Sequence, residues 1–433
     1  MTNSNKYNVA LLLYRLVFFF FTPIILLLLI FRSKKNSAYR KRLLERLGFT
    51  AAALKKNSIV IHAASVGEVI AIKSFVEQLL SQYPHKLVTI TTFTPTGSAQ
   101  VKKLFAERVQ HCYLPLDNFF STLLFLRRIK PQALVFMETE LWPNLLAQCA
   151  KKKLPLLLIN ARLSAKSCRN YQKIHWLMTP RLQNFDHVLC QSEEHQQNFI
   201  KLGAIPQNCT VSGNIKYDIS ITSTIENKAK ELANYLPVTR EVWLVASTHL
   251  GDDEIAINTF IKLKQQHPTL LLILVPRHPE RFAQVASLCR QNNLNIVCRS
   301  EDRLIEQDSE IWLLDSLGEL TAAYSLASVV TVAGSFSTIG GHNPLEATLF
   351  KKPIVVGADM HNFTDVLMQL LHNNAIVQLS ENTNIEQQLS QEVSRLLSEK
   401  DYAQQLGNNA HQVMLGNQGA SSHSVEKLLA LVK

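Results

Sequence analysis

Short apolar runs rich in β-branched residues recur between residues 58 and 356 and alternate with stretches of helical periodicity. The runs are apolar almost throughout, which is typical of parallel strands buried on both faces of a sheet. Parallel strands need crossovers, and right-handed helical crossovers cover both faces. The pattern therefore predicts an α/β chain with two doubly wound parallel sheets. The predicted strands are Ser58–Ala64, Leu87–Phe93, Val109–Leu114, Ala133–Met137, Pro155–Asn160, His187–Cys190 and Thr210–Ser212 in the first half, and Val242–Ala246, Leu270–Val275, Asn295–Cys298, Ile311–Leu314, Val329–Ala333 and Pro353–Val356 in the second.

Domain boundaries are predicted where this alternation is interrupted. A polar stretch without a strand pattern separates the two halves and is interpreted as a linker. In both halves polar groups follow the strands, at the carboxyl ends where such sheets bind ligands. Two domains that face each other across a cleft would then each hold one ligand. The predicted parts are an anchor with its basic flank at 1–35, a Rossmann-like domain at 36–217, the linker at 218–240 and a second Rossmann-like domain at 241–433.

The segment Val9–Phe31 is apolar apart from Arg15 and Thr22, and it contains Pro23. At about 1.5 Å per residue it can reach across a hydrocarbon core of about 30 Å. No small-x-small cleavage site follows, which disfavours a signal peptide. We predict a membrane anchor that spans the bilayer once or inserts deeply. Because Arg15 divides the run, a shorter insertion is an alternative, and Arg15 could also snorkel to the interface.

Basic residues are concentrated directly after this segment. The net charge is +11, from 45 Lys and Arg against 34 Asp and Glu, and such a balance suits an anionic partner. Because positively charged flanks stay inside, everything after residue 32 is predicted to be cytoplasmic. The cluster could also attract anionic head groups or a phosphorylated lipid, or it only sets the topology. It comprises Arg32, Lys34, Lys35, Arg40, Lys41, Arg42 and Arg46.

Several common site types have no support in the sequence. The seven cysteines are scattered without a CxxC pair, which argues against a zinc site or a disulfide framework and for buried thiols in a reducing compartment. No GxGxxG follows a strand, and the sequence has neither GxxxxGK[ST] nor HExxH. Dinucleotide, P-loop and zinc-peptidase functions are therefore disfavoured.

Acidic residues follow two predicted strands of the first half. Glu68 lies three residues after Ser65, which fits a helix capping box or a general base that reaches an acceptor hydroxyl. Glu138 and Glu140 lie beside Trp142, where carboxylates are costly unless they are paired or hydrated. A helix-start acid favoured by the dipole is the alternative for this pair.

The second half has its strongest signal at Gly340–Glu346. Asn343 suits a helix cap and Pro344 the first helical position. Glycines before a helix start let N–H groups approach a phosphate, which would leave Glu346 to bind ribose hydroxyls. An ordinary well-capped helix is the alternative.

Three further candidates are ambiguous by themselves. Arg277 offers a planar fork for a phosphate or carboxylate, although a solvated basic turn is the alternative. The trio Leu317–Glu319 has almost no signal alone. Lys216 lies on a turn before the predicted linker, and its role is open.

Together, and in this order, the motifs resemble those of the transferases of 3-deoxy-D-manno-octulosonic acid (Kdo) in lipopolysaccharide synthesis. METELWPN and HAASVGE are specific enough that chance agreement is negligible. The segments that carry the resemblance are Tyr39–Gly48, His62–Glu68, Met137–Asn144, Asn160–Ser164, Gly213–Asp218, Ala246–His249, Pro276–Arg281 and Gly340–Ala347.

The resemblance implies a GT-B glycosyltransferase at the cytoplasmic face of the inner membrane. It implies CMP-Kdo as donor, a lipid A precursor (lipid IVA) as acceptor, inversion at the anomeric carbon, and no metal, cofactor or nucleic-acid partner. Glu68 matches the general base, and Glu138 and Lys216 match residues of transition-state stabilisation. The residues that match the CMP site are Pro276, Arg277, Leu317, Gly318, Glu319, Asn343, Pro344, Leu345 and Glu346.

Two departures and three rival functions accompany this interpretation. Leu317 stands where methionine is more usual, and the order of polar and aromatic residues in Gly357–Phe363 differs from the family pattern. The rivals are a GT-B lipid glycosyltransferase that uses a UDP-sugar, a sugar-nucleotide epimerase, and a non-catalytic sugar-lipid binding protein. An epimerase should lack the anchor, and an intact Glu68 disfavours the binding protein.

Overall fold

The computed structural model describes residues 3–34, 36–50, 54–236, 240–381 and 384–432. Lys35, which belongs to the predicted basic flank, lies outside the described residues. The chain forms two compact units. Unit 1 comprises Met1–Asp218 with Asn417–Lys433, and unit 2 comprises Ile219–Gly416.

Unit 1 is built on a parallel sheet of seven strands in the order β3-β2-β1-β4-β5-β6-β7. Both faces are covered, so neighbours along one strand enter different cores: Ile59 and Ile61 lie in one cluster and Val60 in the other. This burial explains why the strands are almost uniformly apolar. The strands are β1 (Ile59–His62), β2 (Val88–Thr92), β3 (Gln110–Tyr113), β4 (Ala133–Met137), β5 (Leu156–Ala161), β6 (His187–Cys190) and β7 (Cys209–Val211).

Unit 2 repeats the architecture, with the strand order β10-β11-β9-β8-β12-β13-β14, again all parallel. The thirteen predicted strands of the two halves are confirmed within a few residues at their ends. The edge strand β14 was missed because two residues are too few to show a pattern. The strands are β8 (Val242–Thr248), β9 (Leu271–Pro276), β10 (Ile296–Cys298), β11 (Ile311–Leu313), β12 (Val329–Val332), β13 (Ile354–Val356) and β14 (Val377–Gln378).

Helices precede, connect and follow the strands. Those of unit 1 are α1 (Asn3–Arg32), α2 (Leu43–Arg46), α3 (Val66–Ala71), α4 (Lys73–Gln82), α5 (Pro95–Phe105), α6 (Phe119–Ile129), α7 (Pro143–Lys151), α8 (Ala165–Gln172), α9 (His175–Leu182) and α10 (Glu193–Leu202). Those of unit 2 are α11 (Ser223–Ala233), α12 (Asp252–Leu263), α13 (Phe282–Gln291), α14 (Leu320–Ala323), α15 (Leu345–Thr348), α16 (Thr364–His372), α17 (Ile385–Ser398) and α18 (Lys400–Gly416). The last helix, α19 (Ala420–Leu431), belongs to unit 1.

The last helix corrects the predicted extent of the second domain, which had been taken to run to residue 433. Val425 and Leu428 are buried in a core of unit 1 together with Ile215. The Asp218 carboxylate accepts hydrogen bonds from the N–H groups of Gly419 (2.6 Å) and Ser421 (2.5 Å), which caps the first turn. Only the fold shows which sheet the apolar face of α19 covers.

The predicted linker 218–240 is also corrected. It contains α11, which packs against α14 in unit 2. Thr222 caps α11 by accepting a hydrogen bond from the Ile225 N–H (3.3 Å). The segment is polar because most of the helix surface faces solvent, and this polarity concealed the helix.

The first helix is apolar enough to interact with a lipid bilayer. Lys6–Arg32 is long enough to cross a membrane, and its most apolar window has a mean hydropathy of 2.4. The predicted apolar N-terminal helix is therefore present, with a length and composition compatible with a membrane anchor.

Candidate active site

In unit 1 the first predicted site residue, Glu68, lies in the first turn of α3, directly after β1. Its Oε2 accepts a hydrogen bond from the Ala64 N–H (2.8 Å), and its Oε1 accepts one from the Ser65 hydroxyl (2.8 Å). Ser65 in turn caps α3 by accepting from the Glu68 N–H (3.4 Å). The predicted capping is therefore present, although Glu68 accepts from the backbone N–H of Ala64 instead of the backbone N–H of the cap residue Ser65. Capping holds this carboxylate at the carboxyl end of β1.

Electrostatics favour a basic Glu68. Burial raises the pKa of its carboxyl, and the charges of Glu140 and Glu138 raise it further, against the hydrogen bonds from Ser65 and Ala64. A carboxylate with a raised pKa is a stronger base than an ordinary one. The same effect shows that the loop after β4 brings both of its carboxylates close enough to act on Glu68.

The loop after β4 holds its two acids in different ways. Glu138 is half-buried and adopts a left-handed backbone (φ 53°), and its carbonyl accepts from the Arg162 N–H (3.4 Å). Glu140 accepts from the Trp142 indole N–H (2.7 Å) and lies 3.4 Å from Nε2 of buried His62. Burial alone would raise the pKa of Glu140, but His62 and Trp142 together lower it. Glu140 is therefore held as an anion, and neither acid lies in a regular helix start.

Lys216 lies on a short 3₁₀ turn that is fastened to the end of β5. Asn160 Oδ1 accepts from the Ile215 N–H (3.0 Å), and the Asn214 side chain accepts from the Lys216 N–H (3.0 Å). Asn160 is buried and has a left-handed backbone (φ 51°). The NARLS and GNIKYD motifs thus form one structural unit, and Lys216 is placed on the edge where β5 ends.

Aromatic residues and Arg46 pack together beside this edge, an arrangement that the sequence did not predict. The Trp142 ring stacks on Phe93 at 5.8 Å between centroids, and the Arg46 guanidinium lies over Phe93 (4.7 Å) and Tyr113 (3.9 Å). Arg46 is buried and donates to the Phe93 carbonyl (2.6 Å). The aromatic spacing gave no signal in the sequence because the partners come from separate elements.

The basic flank after α1 does not act as one cluster. Arg42 makes a double hydrogen bond with Glu45 (2.7 and 2.8 Å), and Arg46 is enclosed by aromatic rings. Both side chains are therefore engaged within unit 1, which argues against lipid attraction by these two members of the cluster. Arg40 and Lys41 are exposed and keep that possibility.

In unit 2, Pro276 and Arg277 lie where β9 ends. Pro276 is buried beside Thr248, and the exposed Arg277 is fixed by its N–H, which donates to the Thr248 carbonyl (3.0 Å). Arg281, from the same motif, is different: it pairs with the fully buried Asp253. Only one of the two arginines of this motif is thus exposed to a ligand.

The segment Asn343–Glu346 forms the start of α15, a single helical turn. Asn343 Oδ1 accepts from the Leu345 N–H (3.1 Å). The cap position is occupied by Pro344 instead of Asn343, so the helix begins one residue later than predicted. Glu346 accepts from the Thr321 hydroxyl (2.8 Å). Since the helix is so short, phosphate binding here would depend on individual N–H groups more than on a macrodipole.

The trio at 317–319 divides into an exposed and a paired part. Leu317 is 63% exposed, and Gly318 has φ 88°. Glu319 is buried and pairs with Lys228 of α11 (3.0 Å) and with Arg299 (3.3 Å). Burial raises the pKa of Glu319, but Ser316 and these two cations together lower it. Its carboxylate therefore has partners within the unit, one of them from the predicted linker.

Three histidines of the quoted motifs form a cluster that was not predicted. His249 Nε2 and His342 Nε2 lie 2.8 Å apart with the rings stacked, and His278 meets His249 edge-on at 5.1 Å. Gly334, with φ 71°, makes room for the His342 ring, because an added Cβ would lie 2.8 Å from it. Within the described residues no group of three or more His, Cys, Asp or Glu side chains could hold a metal ion.

Because of this histidine cluster, we expect the stability of unit 2 to fall at acidic pH. Burial, followed by the positive charge of Arg277, lowers the pKa of His342 to about 4, against about 6.5 in an unfolded chain. Between these pH values the unfolded chain binds a proton that the folded chain does not, so stability is full above pH 6.5 and falls as the pH falls towards 4. We expect the urea midpoint to drop between pH 7 and pH 5, and to drop less in His342→Gln. An equal drop in both proteins would contradict this role.

Two doubly wound parallel-sheet units with polar residues at the carboxyl ends of the strands define the GT-B class of glycosyltransferase fold. The solved UDP-GlcNAc 2-epimerase from Neisseria meningitidis, bound to UDP-GlcNAc, shares this fold at 15% identity, with a TM-score of 0.57 over 86% of this chain and 100% of that chain. The solved C-terminal CMP-Kdo binding domain of WaaA from Acinetobacter baumannii is 31% identical over 45% of this chain and 99% of that chain, with a TM-score of 0.42.

Sequence comparison narrows the class to one family. The 3-deoxy-D-manno-octulosonic-acid transferase (kdotransferase) family matches at residues 41–219. The 3-deoxy-D-manno-octulosonic acid transferase of Haemophilus influenzae is 38% identical over 93% of each chain, and that of Rickettsia felis is 33% identical over 76% of this chain and 70% of the relative. The chain belongs to the Kdo transferase family and is a glycosyltransferase.

Proposed function

We propose that this Kdo transferase moves Kdo from CMP-Kdo to a hydroxyl of a lipid A precursor, lipid IVA, with inversion, at the cytoplasmic face of the inner membrane. The observation that carries the proposal is Glu68, a half-buried carboxylate with a raised pKa, held at the end of β1 beside two further acids. This arrangement suits the removal of a proton from an attacking hydroxyl.

The chemistry assigns a role to each unit. In unit 1, Glu68 takes the proton of the acceptor hydroxyl while its oxygen forms a bond to the anomeric carbon of Kdo. The bond from that carbon to the CMP phosphate breaks, and the phosphate leaves with the electron pair. Glu138 and Lys216 would stabilise the charges that develop in the transition state. In unit 2, Arg277 would bind the phosphate, and the Pro276, Leu317–Glu319 and Asn343–Glu346 segments would enclose CMP.

The domain assignment is part of the proposal. Unit 1 would bind the acceptor, because it contains both the base and the apolar helix α1 that brings a lipid within reach. Unit 2 would bind the donor, because Arg277 is exposed at a strand end while Asn343 and Glu346 lie at the start of α15.

The test is a transfer reaction with purified full-length protein in detergent, with CMP-Kdo as donor and lipid IVA as acceptor. We expect mass spectrometry to find lipid IVA heavier by one or more Kdo residues, and we expect free CMP but not UDP to compete with the donor. Competition by UDP would indicate the rival UDP-sugar transferase. Unchanged lipid, with the protein folded and both substrates intact, would refute the proposal.

A further inference from the structure

Helix α1 lies lengthwise on unit 1 instead of projecting from it. Ala10 and Leu11 are buried in a cluster with Leu177 and Met178 of α9. Twelve residues further along the chain Thr22 still contacts the unit, since its Oγ1 accepts from the Asn118 side chain (3.3 Å). At about 1.5 Å per residue this contact extends over about 18 Å of helix, which includes the middle of the apolar segment.

The polar residues that interrupt the apolar segment are the ones that attach it to unit 1. Tyr14 donates its hydroxyl to buried Asp117 (2.9 Å). The Arg15 guanidinium donates to Asn144 Oδ1 (3.0 Å) and lies 4.6 Å from the Phe119 ring. Arg15 and Thr22 therefore do not signal a broken membrane span. They form one stripe that docks the helix.

The opposite face of α1 has no such contacts within the described residues. Thirteen large apolar side chains of this helix are exposed, from 46% at Ile30 to 69% at Phe20. Soluble monomers rarely expose contiguous apolar patches above about 300–600 Å². Two exposed aromatic residues lie beside these contacts: Phe120 follows Phe119, whose ring Arg15 contacts, and Trp176 lies on α9, which packs against α1. The apolar surface therefore continues from the helix onto the unit.

A perpendicular crossing is incompatible with this docking. If Val9–Phe31 crossed the bilayer, Asp117, Asn118 and Asn144 would lie at the level of the hydrocarbon core, together with the starts of α6 and α7. These three side chains are paired within the unit, but the non-helical backbone around them would adjoin lipid, and lipid-exposed irregular backbone does not occur at hydrocarbon depth.

We propose that the outer face of α1 is a lipid-binding surface on which the protein lies in the plane of one leaflet, with both ends of the helix on the same side of the membrane. The occupant is a bilayer with anionic lipid, because exposed Arg32, Lys34, Arg40 and Lys41 follow the apolar face. The proposal rests on the membrane location proposed above and replaces the single-pass anchor predicted from the sequence.

The docking also links the bilayer to the loop Glu138–Trp142, which we call the acceptor loop because its two acids lie near Glu68. Asn144, which binds Arg15, follows the Glu138–Trp142 loop by two residues, and its N–H donates to Asp117 (2.9 Å). Leu141 of the same loop packs into the cluster that holds α1. A protein held by this helix would thus present its acceptor loop to lipid at a constant height.

Single-cysteine labelling distinguishes the two membrane arrangements without requiring turnover. The seven native cysteines are buried, so a membrane-impermeant maleimide reports on introduced ones. Lys6→Cys and Ser33→Cys flank the apolar segment, and Lys103→Cys marks the exposed surface of unit 1. We expect all three to react in inverted inner-membrane vesicles, where the cytoplasmic face is accessible, and none to react in intact spheroplasts. Reaction of Lys6→Cys only in the preparation opposite to the other two would prove a crossing and overturn the proposal.

Two adjacent leucines provide a matched control for the surface itself. Leu12 is 55% exposed and Leu11 is 8% exposed. We expect Leu12→Asp to lower binding to phosphatidylethanolamine–phosphatidylglycerol vesicles at least about tenfold with no change in melting temperature, and Leu11→Asp to lower the melting temperature. Normal vesicle binding by Leu12→Asp, or loss of a dimer instead, would assign this face to another occupant. An inactive protein that passes both tests would refute the transferase reaction and leave the surface assignment intact.

Discussion

Glu68→Gln is expected to lower kcat by about 10²–10⁴-fold, the usual contribution of a general base, with an unchanged melting temperature. Glutamine keeps the capping geometry, because its amide oxygen can accept from Ala64 N–H and its amide group can donate to the Ser65 hydroxyl. Only basicity is lost. The rate of the native enzyme should also rise with pH through the raised pKa of Glu68, and the variant should lack this limb.

A second capping glutamate in the chain provides the control. Glu254 accepts from the Gly251 N–H (3.0 Å) at the start of α12 in unit 2, so Glu254→Gln repeats the same chemical change at a helix start outside the predicted site. We expect it to be fully active. Near-normal activity in Glu68→Gln, or an equal loss in Glu254→Gln, would reduce Glu68 to a helix cap.

Arg277→Ala should weaken CMP binding about 10–100-fold and leave stability unchanged, because a hydrogen bond to a charged group contributes about 1.5–3 kcal/mol. Arg281→Ala should have the opposite profile. Its guanidinium pairs with Asp253, whose side chain is 0% exposed, and removal of one partner of a buried pair costs about 3–5 kcal/mol. The two arginines lie in one PRHPER motif, so each variant is the control of the other.

Calorimetric titration with CMP and thermal unfolding of both variants provide the measurement. A large loss of stability in Arg277→Ala would show that its exposed side chain supports the fold. Unchanged CMP affinity in a stable Arg277→Ala protein would remove this residue from the donor site. If Arg281→Ala melted normally, Asp253 would not depend on its partner.

Local features of the chain were sufficient to predict most of the fold. A buried parallel strand must be apolar on both faces, so thirteen strands were visible as runs, and β14 was too short to be seen. Motif order identified the Kdo transferase family and the strand ends at which Glu68, Glu138 and Arg277 lie. These features depend on residues close together in the chain, and a single sequence displays them directly.

Only the tertiary structure shows which distant residues of the chain pack or pair with each other. The apolar face of α19 could cover either sheet until Asp218 and Ile215 are in place. Arg46 and Glu319 read as free charges and are buried against partners far away in the chain. Arg15 reads as a defect in an apolar segment, yet it docks α1 through a contact with Asn144, 129 residues away. Periodicity and motif chemistry are local properties of a sequence, whereas the pairing of buried charges and apolar faces requires folding to bring distant residues together.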